Sequence, residues 1–271
     1  NKSGFIRCDL EKNELPDEVF KNVDTVFHLA GNAHNTRDSS ASFDSYRKLN
    51  VEATKNIANA AIRMGVKHFF YLSSVKACSN HNKNNINKII CESFKGEPEG
   101  EYGRSKKEAE DQLLYLTRNE KIRLNIVRSV LVYGKNVKGN LALMIRGMKA
   151  GWFPELPETG NRRSMIHVDD LVRSILFIDK RENIKKEIFT VTDGELYSSA
   201  RICRTLQRIY ICDDFKWKIS LPFLKILSKI NKSVDYKISK LMGDEPYSSE
   251  KIFSMGYKPK FKLENINEKI F

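Results

Sequence analysis

Residues 101–112 read EYGRSKKEAEDQ, which sets Tyr102 and Lys106 four positions apart at the start of a helical pattern. Side chains at i and i+4 share a helix face, so a phenol and an ammonium can act on one reacting group. A free phenol, with a pKa of about 10, is a poor base near neutral pH. An ammonium one turn away favours the phenolate and lowers that value. Upstream, YLSSVKA ends a strand-like run with Ser73 and Ser74. A hydroxyl there can position a reacting oxygen and share its developing charge. A strand-end serine followed by a Tyr-x-x-x-Lys helix suits alcohol oxidation, in which a base takes the hydroxyl proton while hydride leaves for a nicotinamide.

These residues need a scaffold. Short runs rich in β-branched and aromatic residues, FIRCDL (5–10), TVFHLAG (25–31), HFFYLSS (68–74), LNIVRSVLVYG (124–134) and EIFTVTDG (187–194), read as strands. Most are continuously apolar, as strands buried on both faces of a parallel sheet are. Between them, 51–65 (ending at Gly65) and 105–120 carry helical patterns. Repeated strand–helix–strand units predict an α/β, doubly wound, Rossmann-type parallel sheet. The expected division is 1–135 as a nucleotide-binding domain and 136–271 as a smaller mixed lobe, with about 164–194 returning to the main sheet. Ligands of such folds bind beside the carboxyl ends of the strands.

Composition narrows the classes. The chain has 271 residues, 41% hydrophobic and 10% aromatic, which supports a sizeable core. No window offers the ~18 uninterrupted apolar residues of a membrane span, so no integral membrane segment is expected. The nearest candidate, ISLPFLKILSKI (219–230), is interrupted by Pro222, Lys225 and Lys229 and reads as an amphipathic helix, packed on its own domain in preference to the alternative of lying on a membrane. Net charge is +13, but the basic residues are scattered without aromatic interleaving, so nucleic acid is not an expected partner. The five cysteines, Cys8, Cys78, Cys91, Cys203 and Cys212, show no metal spacing. They read as free thiols of a cytoplasmic protein. His28 reads as a core histidine, His34 as a residue near the cleft, and His167 with Asp169 and Asp170 as structural. No metal site is expected.

In order along the chain, CDL, VDTVFHLAG, LNVEATKNIANAAIRMGVKHFFYLSS, YGRSKKEAE, VRSVLVYG and NRRSMIHVDDLV resemble the extended short-chain dehydrogenase/reductases. The specific likeness is to the NAD-dependent epimerase/dehydratase branch, whose members act on nucleotide sugars. The resemblance implies a catalytic set of Ser74, Tyr102 and Lys106, with Tyr102 as general acid/base and Lys106 also holding the nicotinamide ribose. It implies NAD or NADP as cofactor, bordered by Asp9, Leu10, Leu29, Ala30, Gly31 and Asn50. Ser74, Lys76 and Arg163 are the implied substrate contacts, Arg163 gripping a diphosphate as a planar charged fork can. A UDP-sugar substrate and a homodimer through the helices at 51–65 and Tyr102 follow from the same likeness.

Three departures refine the expectation. The family's G-x-x-G-x-x-G turn and first strands are absent from these residues, so the sequence is either a piece of a longer protein or a relative without that loop. Val75 and Lys76 stand where nucleotide-sugar 4,6-dehydratases carry an Asp-Glu pair, which argues against dehydration. Leu131 replaces an asparagine that many 4-epimerases carry, and LVYG is closer to the family's reductases. The expected reaction is hydride chemistry at C4 of a UDP-hexose, as a 4-epimerase or a 4-keto-reductase, for a surface polysaccharide. The alternative is a non-catalytic NAD(P)-binding scaffold or sensor.

Overall fold

The computed structural model describes residues 4–33, 43–79, 88–211 and 214–266. His34, Cys212 and most of the Asn/Lys-rich segment 79–88 lie outside the described residues. Strands β1 (Thr25–His28), β2 (His68–Ser74), β3 (Arg123–Ser129) and β6 (Lys186–Val191) form one sheet in the order β1-β2-β3-β6. β1 pairs with β2 and β2 with β3 in parallel, Phe70 standing opposite Phe27 on one side and Asn125 on the other. Parallel neighbours require crossover helices. These are α2 (Ala53–Arg63), following a short α1 (Phe43–Arg47), and α3 (Gly100–Thr117).

The helical periods explain the packing. α2 buries Ile57, Ala58 and Ala61, and α3 buries Ala109 and Leu113 one turn apart. Both faces meet Phe69, Tyr71, Leu124 and Ile126 of β2 and β3 in one apolar core. α2 ends as its sequence dictates, with Gly65 at φ 71° and Val66 N–H returning to Ala61 O at 2.9 Å.

A second sheet holds β4 (Leu131–Tyr133), β5 (Arg163–His167) and β7 (Leu196–Tyr197), with β4 parallel and β7 antiparallel to β5. Its core gathers Tyr133, Met165 and Tyr197 with Leu141, Met144 and Met148 of α4 (Gly139–Lys149) and Leu206 of α6 (Ser199–Tyr210). α5 (Val168–Asp179), α7 (Leu221–Ser228), α8 (Lys232–Met242) and α9 (Glu250–Ser254) complete the helices used below. By contacts the chain forms two units. One holds Asn1–Asn82, Glu92–Ser129 and Ile175–Thr190; the other holds Lys83–Cys91, Val130–Ser174 and Val191–Phe271.

Three sequence expectations change. Residues 5–10 form no strand: Phe5 is 91% exposed, and Asp9 O accepts the N–H groups of Lys12 and Asn13 at 3.1 and 2.9 Å. A strand exists through its ladder, and among the described residues none pairs with this run. The stretch 124–134 is two strands in two sheets, because β4 leaves the first sheet at Val130 and pairs with β5. The 219–230 segment is helical at α7, but it buries only Leu224. Among the described residues no helix is long and apolar enough to cross a membrane.

Leu113 is fully enclosed between α3 and the sheet. Leu113→Ala removes that contact and leaves a cavity, so it should lower stability by about 3 kcal/mol. A urea denaturation followed by far-UV circular dichroism would read this as an earlier midpoint.

Candidate active site

Ser74 is the last residue of β2 and caps a single 3-10 turn, Val75–Ala77, its Oγ accepting Lys76 N–H at 3.3 Å. The start of α3 lies directly on that turn. A Cβ built on Gly103 would stand 2.3 Å from the Lys76 carbonyl oxygen, so only glycine permits the approach. Glu99 N–H also donates to Lys76 O at 2.8 Å. This contact brings Tyr102 to the strand end beside Ser74, whose hydroxyl favours the phenolate. Tyr46 of α1 leans on the phenol ring, centroid to centroid 6.1 Å.

Lys106 follows one turn later and is only 4% exposed. Its Nζ donates to Leu72 O at 2.9 Å and lies 4.6 Å from the Tyr71 ring centroid. Burial pushes the ammonium down to about 8, partly opposed by Glu110. Burial pushes the Tyr102 phenol up to about 12, opposed by the Ser74 hydroxyl and reinforced by Tyr46. The expected lowering of the phenol by Lys106 is therefore not what this arrangement produces. Both charged forms are costly in the same dry corner, and the ammonium is turned to a backbone carbonyl.

The buried Asn50 sits on a π-helical turn, Lys48–Glu52, that joins α1 to α2. Its Oδ1 accepts Asn32 N–H at 2.7 Å, and its Nδ2 donates to Asn32 O at 3.0 Å and Ser105 Oγ at 2.9 Å. Ser105 Oγ donates to Tyr102 O at 2.8 Å. Asn50 thus ties the chain after β1 to the helix bearing Tyr102. Behind it, Thr54 Oγ1 donates to Asn50 O at 2.8 Å and lies 2.8 Å from His28 Nε2. His28 is pushed down to about 4 by burial and by Lys106, so it stays neutral, as its core reading implied.

Beneath the site, Ser73 Oγ donates to Glu110 Oε1 at 2.6 Å, and Arg128 grips both Glu110 oxygens at 3.0 and 2.6 Å. Asn32, Ser105, Glu110 and Arg128 were not singled out in the sequence. Glu110 could have been, because 102, 106 and 110 fall on one helical face.

The other expected residues are placed as follows. Leu29 and Gly31 are exposed and Ala30 half-buried after β1. A Cβ on Gly31 would come 3.0 Å from Lys106 Nζ and 3.1 Å from Asn50 Oδ1, so glycine keeps that ammonium approachable. A buried lysine with one hydrogen-bond acceptor, beside open backbone, fits the vicinal hydroxyls of a dinucleotide ribose. Asp9 is exposed in the turn before β1, and Leu10 packs at the edge of the first core. Lys76 reaches Glu99 at 3.6 Å. In the second unit, Arg163 is committed to Glu245 at 2.7 Å and to Lys240 O at 2.5 Å, so its fork is already filled. His167 packs between Tyr133 and Phe261, and Asp170 accepts the N–H groups of Lys260 and Phe261, both serving structure. Among the described residues no cluster could hold a metal, and Cys8, Cys78, Cys91 and Cys203 form no disulfide with one another.

A parallel α/β sheet with a serine at one strand end and a tyrosine–lysine helix against it defines a short-chain dehydrogenase/reductase-type protein. Residues 1–192 match the model of the NAD dependent epimerase/dehydratase family, and the chain belongs to that family. The UDP-glucose 4-epimerase of Vibrio cholerae is 33% identical over 257 residues, covering 91% of this chain and 74% of that protein. An Escherichia coli O157:H7 protein, N-acetyl-alpha-D-glucosaminyl-diphospho-ditrans,octacis-undecaprenol 4-epimerase, is 28% identical over 187 residues, 68% of this chain and 54% of its own length. Among solved structures, UDP-glucuronic acid 4-epimerase from Bacillus cereus in complex with NAD superposes with TM-score 0.76. That match covers 96% of this chain and 77% of the other, at 18% identity, and bears on the fold alone.

Two measurements test this geometry. Lys106 carries a folded pKa of about 8 against an ordinary 10.5, so the unfolded chain binds more protons between those values. Wild-type stability from this group therefore rises over that window, and Lys106→Met removes the rise. The stability of Lys106→Met relative to wild type should fall by about 3 kcal/mol as pH climbs from 8 to 10.5. A pH-independent difference would contradict the assignment. Gly103→Ala should displace the start of α3 and lower the melting temperature, whereas alanine at the exposed Glu101 should not.

Proposed function

We propose that the protein is a nucleotide-sugar 4-epimerase that works on C4 of a UDP-hexose with a nicotinamide dinucleotide held in its first unit. The observation that carries this reading is the start of α3 packed on the Ser74 turn through Gly103, which sets the Tyr102 phenol beside Ser74 with a buried ammonium one turn away behind an open glycine. The dinucleotide supplies the hydride acceptor that no side chain can. Gly31 and Asn50 keep its place beside Lys106, whose ammonium holds the ribose. Tyr102 takes the C4 hydroxyl proton and returns it, and Ser74 donates a hydrogen bond to the same oxygen. Because burial holds the phenol near 12, ionising Tyr102 would need a cation close by, a charge that an oxidised nicotinamide bound beside Lys106 would supply. By the family likeness, Arg163 of the second unit is the residue to test for the sugar diphosphate, a role that would require it to release Glu245. Asp9 and Leu10 border the adenine, and Lys76 approaches the sugar. The family likeness supports a homodimer through α2 and α3 and a cytoplasmic site of action.

The relatives' names support epimerisation, and that of the Escherichia coli protein adds a lipid-diphosphate-linked sugar to the substrates to try. Leu131 supports the second reading, a 4-keto-reductase that consumes NAD(P)H. Val75 and Lys76, in place of an acidic pair, weigh against a 4,6-dehydratase.

The test is turnover of UDP-hexoses and their 4-keto forms by the protein expressed from its complete gene, with and without added NAD(P)H. Epimerisation without net cofactor consumption is the expected outcome, and stoichiometric NAD(P)H oxidation would select the reductase. Tyr102→Phe should lower kcat about 10²–10⁴-fold with dinucleotide binding retained. The tyrosinate band lost in that variant should appear at lower pH with dinucleotide bound than without it. No turnover under any condition, with dinucleotide still bound, would leave the non-catalytic scaffold.

A further inference from the structure

We infer that α7 and α8 form a docking surface for an anionic lipid bilayer. The two helices pack on one another, yet α7 buries only Leu224 and α8 buries no side chain at all. Phe223, Ile226 and Ile230 are 49%, 63% and 64% exposed. Phe223 and Ile226, at i and i+3, share the outer side of α7, and Ile230 is exposed in the turn that ends it. Tyr236 of α8 adds an exposed aromatic ring. α7 turns Leu224 inward with Leu221 and Leu227 half-buried, and still leaves Phe223 and Ile226 in water on its other side.

The charge pattern selects the occupant. Residues 221–242 contain Lys225, Lys229, Lys232, Lys237 and Lys240 against one acidic residue, Asp235. Lys225, Lys229, Lys232 and Lys237 have no ion-pair partner among the described residues, and Lys240 alone approaches a carboxylate, Glu245 at 3.9 Å. Lys225 and Lys229 are one turn apart and run beside the apolar stripe. Apolar side chains flanked by unpaired lysines, with low acidic content, fit the interface of a membrane carrying negative headgroups. There the stripe enters the acyl boundary and the lysine stems reach back to the phosphates. The far end of α8 supplies the anchor, since the Lys240 and Leu241 carbonyls hold Arg163, and Ser199 also donates to Leu241 O. The surface is thus exposed but not loose. Nothing in this inference depends on the reaction proposed above.

The experiment is flotation of the full-length protein with vesicles of phosphatidylcholine and phosphatidylglycerol, compared with phosphatidylcholine alone. The protein should float with the mixed vesicles and remain behind with the neutral ones. Ile226→Asp and the pair Lys225→Glu/Lys229→Glu should each weaken partition about tenfold or more, with unchanged melting temperature. The pair Lys21→Glu/Lys121→Glu makes the same change in net charge elsewhere on the surface and should float as wild type does. Equal loss in that control would reduce the binding to overall charge and overturn the inference. Failure of the wild type to float overturns it too. So would a wild-type oligomer that Ile226→Asp dissociates without any vesicle binding, because a second copy of the chain would then cover the stripe.

Discussion

Glu110 holds the first unit's chemistry in register. Its carboxylate is fully buried, accepts Ser73 Oγ and is gripped by Arg128 through two hydrogen bonds, which fastens α3 to the ends of both β2 and β3. A buried ion pair need not add net stability, but breaking one by removing a single partner costs about 3–5 kcal/mol. That penalty falls on any displacement of α3 relative to the sheet. Tyr102, Lys106 and Glu110 are successive turns of one helix, so fixing the third fixes the line on which the first two lie. Ser129 Oγ donates to Ser73 O at 3.2 Å and adds a second tie at the same strand ends.

The same corner concentrates electrostatic cost. A phenol raised by burial and an ammonium lowered by burial are both held away from their charged forms, within one helical turn of each other. Such opposed shifts mark functional sites more often than structural ones. Stability here is spent on an arrangement whose return comes only when a ligand brings its own charge and hydroxyls.

The apolar runs and the helical periods were legible because both report burial. β2 and β3 are buried along almost their whole length and carry continuous apolar runs, Phe69–Leu72 and Ile126–Val127, while α2 and α3 show their inward residues at helical spacing. The Tyr102–Lys106 pair was legible for the same geometric reason, and Ser74 through its place at a strand end. The direction of Lys106 was not, because spacing sets which face a side chain is on and not which acceptor its flexible stem finds. Arg163 shows the same gap: its charge was visible, whereas Glu245, its partner, is distant in sequence. The 219–230 segment was read by its period as inward-facing, yet an amphipathic pattern says only that two faces differ. Asn32 and Ser105 carried no signal, since their importance comes from bonding to Asn50 across the fold.

The π-helical turn at Lys48–Glu52 gives the chain an unusual sensitivity to length. Each residue advances an α-helix by about 100°, and a π turn amounts to one extra residue within the winding. Deleting one position there would let Phe43 to Arg63 wind as a continuous α-helix, with the i to i−4 ladder unbroken between its ends. It would also swing Asn50 about a quarter-turn from Asn32 and Ser105. Tolerance of insertions and deletions in this stretch is therefore asymmetric: the smoother helix is the one that unlatches the site.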